Sequence, residues 1–308
     1  MAMDEENQEF LTDQPARFVA AEGLSLLWPL LKETALRLYA DEAMPLAGNI
    51  AFRTILSVFP FLIFVTSLAG FIGTADIAQT VISFLLTVAP AELVKPLESE
   101  IKSILTVQRG GVLSVSLLLM AWSASGGVDS VRVALNRAYD CTEHRHGLVL
   151  LMQNLAFVVG GAVTLLALGF LIVVLPLAVA VAQRYVPAMV PSIEVYATIR
   201  YPLAIVALIA WLFAVHALLP AQRRRFGDLW PGSVVTLIVW IVLAEAYAYY
   251  LGQFANYAST YAGLAGVIAA LFFVYLAALV LILGGEVNRV LRLRRQWRER
   301  RQDIGVGI

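Results

Sequence analysis

The sequence predicts an all-α fold, a polytopic membrane helix bundle of six transmembrane spans with flanking interfacial amphipathic helices. Three observations carry this. Of the 308 residues, 60% are apolar and only 14% charged, where a soluble domain carries about a quarter charged. The mean hydropathy of +0.79 is too high for one soluble core, so much of the apolar surface has to face lipid. The apolar residues are also gathered into uncharged runs of bilayer-crossing length.

The chain opens on an acidic, amphipathic segment, residues 1–45, which holds nine of the 22 acidic residues before position 43. Asp4, Glu5, Glu6, Glu9 and Asp13 are the reverse of a basic signal-peptide head, so the first span is expected to act as its own insertion signal. Within residues 22–40, Leu24, Leu27, Trp28, Leu31, Ala35 and Leu38 share one helical face, as in a helix lying along the headgroups.

Uncharged runs then cover Thr54–Ala75 (22 residues), Gly110–Val128 (19), His146–Gln183 (38), Tyr201–Gln222 (22), Leu229–Ala244 (16) and Ala246–Gly285 (40). About 20 residues at ~1.5 Å each cross a ~30 Å hydrocarbon core. Pro60 is expected to kink the first span. The third run is too short for two spans and is expected to form one long helix, broken at Gly160-Gly161 or Pro176. The fifth reaches span length only if Glu245 is immersed, and the sixth must supply the end of span five, a turn near Gln253–Tyr261 and all of span six. Ile77–Ala91 fits a surface or re-entrant helix better than a seventh span. A second amphipathic stretch, 128–139, places Val128, Val131, Leu135 and Tyr139 on one face, to lie on the membrane or to pack on another element. Asp129 is expected to cap it. The membrane domain is thus expected over 46–290, and a basic tail over 291–308.

Orientation follows from Lys and Arg. With the N-terminus inside, the inner segments hold 17 of them and the outer segments 5. Both termini are therefore expected in the cytosol.

Three stretches resemble the YihY/BrkB family of bacterial inner-membrane proteins. They are AGNIAFRTILSVFP at 47–60, GGVDSVRVALNRAY at 126–139, and NYASTY at 256–261 with LGGEVN at 283–288. Two departures are Ala262 where the family usually has Gly, and Arg53 where many members have Tyr. The resemblance implies six spans, a cytoplasmic-membrane location, and roles in envelope integrity, serum resistance and lipid movement. It also carries an old label, a tRNA-processing ribonuclease. The chain argues against that label: its three histidines are His144 and His146 as a lone pair and His216 on another span. No metal site and no cofactor motif is expected, no Walker A loop exists, and the single Cys141 excludes an internal disulfide.

Glu245 and Arg53 are the candidate substrate-binding residues. A carboxyl at that depth costs roughly 2.5–3.5 kcal/mol at the bilayer centre, less near an interface. It either lines a polar cavity, meeting a headgroup or a proton, or packs between helices near the outer face. Arg53 either holds a lipid phosphate, pairs with Glu245 or Glu286, or snorkels to the headgroups. Glu286 and Asn288 are expected in a structural network with Asn136 or Arg137. Pro60, Asp129, Asn136 and Tyr261 complete the motif residues. Ala262, Gly266 and Ala270 allow close helix approach, within the bundle or across a homodimer. Arg289, Arg292, Arg294, Arg295 and Trp297 suit anionic headgroups, at ~1 kcal/mol per basic residue. Directly after a span, lipid is favoured over nucleic acid. The functions left open are a transporter or flippase of an amphipathic envelope lipid, and a non-transporting scaffold or regulator.

Overall fold

In the computed structural model the described residues are 27–76, 79–80, 82–83, 98–107, 110–176, 179, 193–222, 224–253 and 264–303. Most of the expected surface helix at 77–91 lies outside them, as do Leu24, the turn at 254–261 with Tyr261, and Ala262. The described residues form helices α1 (Leu27–Ala40), α2 (Ala43–Ile72), α3 (Glu98–Thr106), α4 (Gly110–Ala138), α5 (Gly147–Gly169), α6 (Ile193–Leu218), α7 (Phe226–Gln253) and α8 (Leu264–Asp303). No strand occurs among them. Six of these, α2 and α4 to α8, are long and apolar enough to cross a membrane. At most 22% of each apolar window is buried. Side chains such as Phe59, Leu118, Leu166 and Val206 point outward, which only a lipid solvent tolerates on this scale. The chain is a multi-pass helical membrane protein.

It divides into two compact units, residues 52–128 and the remainder. In the smaller unit, Gly70 meets the end of α3. A Cβ there would lie 3.0 Å from the Ile104 carbonyl, so only glycine fits. In the larger unit, α7 and α8 run antiparallel. Trp240 Nε1 donates to the Ala277 carbonyl at 2.9 Å and Tyr247 Oη to that of Ala269 at 2.5 Å. A small-residue core joins Ala43, Ala47 and Ile50 of α2 to Ala134 and Ala138 of α4 and Ala278 and Ile282 of α8. Methyl-sized side chains let three helices converge closely.

The structure corrects two expectations and decides a third. Residues 128–138 are not a separate surface helix: α4 runs through them, and Leu135 and Tyr139 are buried within the protein. Asp129 therefore lies inside a helix rather than capping one. The third span does not break at Gly160-Gly161. Those glycines receive the Trp211 ring, and a Cβ on Gly160 would stand 2.9 Å from it. The irregularity comes later, as a π-helical turn over Phe170–Val174, just before Pro176. A proline removes one N–H and crowds the carbonyl four residues back, and a widened turn relieves this.

In α1 the exposed face carries Trp28, Leu31, Ala35 and Tyr39, while Thr34 is buried and Leu38 packs on the small-residue core. An apolar outer face suits a helix at the lipid surface. Span five runs unbroken through Glu245, and α2 continues through Pro60. Helix α8 runs without interruption from the last span into the basic tail.

Candidate functional site

The most concentrated polar structure lies at one end of the larger unit, where α4, α6, α7 and α8 meet. It begins with a proline. Pro231 sits inside the first turns of α7, where it can donate no hydrogen bond and disturbs the backbone ladder. The Asn288 side chain bonds the backbone on both sides of that proline. Its Oδ1 accepts from Gly232 N–H at 2.6 Å, and its Nδ2 donates to the Leu229 carbonyl at 3.1 Å and to Tyr139 Oη at 2.9 Å. This demands near contact of backbones. A Cβ on Gly232 would overlap the Gly284 carbonyl, and one on Gly284 would stand 2.8 Å from the Gly232 carbonyl.

Tyr139 extends the network to His216 Nδ1 at 2.9 Å. Burial pushes the Tyr139 phenol far above its ordinary range, so it keeps its proton. Because its oxygen already accepts from Asn288, that proton points to His216 Nδ1. The His216 hydrogen then falls on Nε2, which is buried and has no hydrogen-bond partner among the described residues. Arg224 lies over the Tyr139 ring at 4.7 Å and donates to the Tyr139 carbonyl at 2.7 Å.

A second cluster centres on Glu143. Arg145 and Arg132 donate to it at 2.8 and 2.5 Å, and Asn136 at 3.1 Å. Arg145 foremost, with Arg132 and Asn136, holds the Glu143 carboxyl well below the usual carboxylate range against a smaller opposing effect of burial. Asn136 also accepts from Ala221 N–H at 2.7 Å, and Arg145 donates to the Leu219 carbonyl at 2.9 Å. Asp129 pairs with Arg132 at 2.7 Å and accepts from Asn154 at 3.3 Å.

A third cluster centres on Arg289, which bridges Asp41 at 2.6 Å and Asp140 at 3.2 Å. Both acids lie at turns with left-handed residues, Glu42 at φ 56° and Asp140 at φ 55°. Such a conformation is uncommon outside glycine. Glu286, one turn before Arg289, is completely buried.

The structure thus brings Asn136, Asp129, Glu286, Asn288 and Arg289 to one end of the unit, in three adjacent clusters. Asn136 and Arg137 bond elsewhere than to Glu286: Arg137 reaches Asp41 at 3.7 Å. Of the tail residues, Arg289 and Arg294 face the protein, at 12% and 9% exposure, whereas Arg295 and Trp297 are exposed. Arg295 also pairs with Asp228 at 2.6 Å. Arg53 is exposed and donates to the Gly126 carbonyl at 3.3 Å. Glu245 is exposed on α7. Gly266 and Ala270 are exposed too, so the close helix approach occurs at Gly232 and Gly284 instead. Sequence reasoning missed Glu143, Asp41 and His216 as network members. Pro231 inside an apolar run was a signal that polar side chains would be needed beside it, since a disturbed backbone in a membrane needs partners.

Residues 34–304 match the family described as Virulence factor BrkB. The chain belongs to the BrkB family. Among its BrkB-type relatives is a protein of Bacillus subtilis (strain 168) named putative ribonuclease-like protein YfkH. It is 29% identical over 268 residues, 86% of this chain and 96% of the relative. A UPF0761 membrane protein of Vibrio atlanticus (strain LGP32) is 26% identical over 278 residues, 87% of this chain and 84% of the relative. No solved structure matches. All three polar clusters lie within the matched residues.

Proposed function

We propose that this BrkB-family protein is an inner-membrane transporter or flippase of an amphipathic envelope lipid, with both termini in the cytosol. One observation carries the proposal. Glu245 stands about 29 Å along α7 from Phe226, at ~1.5 Å per residue, and is exposed. Among the described residues it has no hydrogen bond or ion pair. An immersed carboxylate needs an answering group; none of the described residues supplies one, and the proposal assigns that part to a headgroup amine or a proton. Arg53, exposed on α2, offers the opposite charge to a lipid phosphate. The split of 17 basic residues to 5 supports the orientation.

The partners are membrane lipids with anionic headgroups, met at the tail by Arg292, Arg295 and Trp297. A homodimer through the exposed Gly266 and Ala270 face is part of the same proposal, and nucleic acid is not. We read the protein as non-enzymatic. In support, each histidine has a local partner: His216 takes Tyr139, His146 caps α5 through Leu148 N–H, and His144 meets Thr142 at 3.0 Å. The rival function, a scaffold or regulator of envelope integrity, is favoured by the extent of the polar clusters, which tie four helices at one end.

The test is lipid translocation in vesicles reconstituted with full-length protein. Wild type should move labelled lipid. Glu245→Gln and Arg53→Ala should each slow it at least about tenfold, the effect of ~1.4 kcal/mol of lost headgroup binding. No movement by wild type would favour the scaffold, and unchanged rates in both variants would remove each residue from the proposal. Cleavage of RNA by the purified protein, abolished by His216→Ala, would overturn the non-enzymatic reading.

A further inference from the structure

Glu286 is the buried charged residue that the clusters leave unanswered. It is 0% exposed, and neither carboxylate oxygen receives a hydrogen bond. Arg289 on its own helix and Arg37 on α1 act on it electrostatically, as does Tyr139 at the end of α4, but none of these donates to it. The Arg289 guanidinium is committed to Asp41 and Asp140, and that of Arg37 to Glu33 at 2.8 Å. The Asp41 carboxyl, held at 2.6 Å by Arg289 one turn along α8, is the acidic neighbour that acts on it. Two ionised carboxylates repel and offer only acceptors, so they can bond only across a proton.

We propose that Glu286 is a proton-binding site of the bundle, loaded and emptied through Asp41. One proton occupies the pair. It transfers as Glu286–COOH + Asp41–COO⁻ ⇌ Glu286–COO⁻ + Asp41–COOH, and the Asp41 carboxyl releases it to water. Asp41 can do this because its side chain is 20% exposed, whereas Glu286 has no exposed surface. Arg289 holds Asp41 at 2.6 Å and fixes the acceptor side of the pair. A metal ion fits less well, because among the described residues no three His, Cys, Asp or Glu side chains converge on a common point. The site is independent of the lipid proposal and stands or falls by itself.

The test is infrared difference spectroscopy of the full-length protein in phosphatidylethanolamine/phosphatidylglycerol vesicles, scanned across pH. Wild type should show a carbonyl-stretch band of a buried protonated carboxyl that titrates. Glu286→Gln should abolish it. Asp41→Asn should keep the band and shift its frequency, since the hydrogen-bonding partner has changed. Wild type without such a band, or a band that survives Glu286→Gln, overturns the proton site. A band unmoved by Asp41→Asn overturns the route through Asp41, and it does so even where Glu286→Gln fails to assemble.

Discussion

Asn288 shows how one side chain can decide whether two membrane helices pair. Its amide uses both donors and its acceptor on Leu229, Tyr139 and Gly232, and each of these lies out of reach of water. Asn288→Ala would leave a backbone N–H and the Tyr139 hydroxyl without their partner. At ~1–3 kcal/mol per orphaned buried group, it should cost about 2–4 kcal/mol and lower the unfolding temperature in detergent. Gly232→Ala should cost about 1–3 kcal/mol or more by overpacking, because its Cβ would meet the Gly284 backbone and the Asn288 amide. Gly227→Ala, at a position with nothing within 4 Å, is its control. The motif made Asn288 visible in the sequence. Its partners were not, because they come from positions 56 and 149 residues away.

At the scale of elements, the short segment between α4 and α5 acts as a fastener. Glu143 gathers Arg132, Asn136 and Arg145, and the last two reach on to the end of α6. Its folded-state pKa lies below the unfolded value of about 4.3. The stabilisation is therefore complete above that pH and lost as pH falls through the folded value. Thermal unfolding of wild type should be flat from neutral pH to about pH 5 and decline in stronger acid. Glu143→Gln should start lower at neutral pH and show a shallower acid decline; parallel profiles would remove Glu143 as the fastener. The polar residues of 140–146 were legible only as an inner loop, since the sequence does not say which carbonyls it will reach.

For the whole molecule, six helices are long and apolar enough to cross a membrane, and the basic distribution carries the proposed orientation. A fluorescent protein that folds only in the cytosol, fused after Ile308, should fluoresce, and alkaline phosphatase at the same site should be inactive. The reverse pattern would invert the proposed orientation. The BrkB match over 34–304 extends well into the basic tail. That agrees with α8 continuing as one helix to Asp303, so span and tail form one element.

The all-α class and the number of spans were legible from the residues alone, because bilayer thickness turns uncharged run length directly into helices, and the family was legible from its motifs. That the fifth span continues through Glu245 was legible in the same way. The tertiary structure decided what the polar residues do. Residues 128–138 joined a span and packed within the protein, Gly160-Gly161 received Trp211 instead of breaking a helix, and Glu286 was buried without a bond to Asn136. Each outcome depends on which distant helix supplies the partner. In a membrane interior every polar group must find one, and that choice is made by packing.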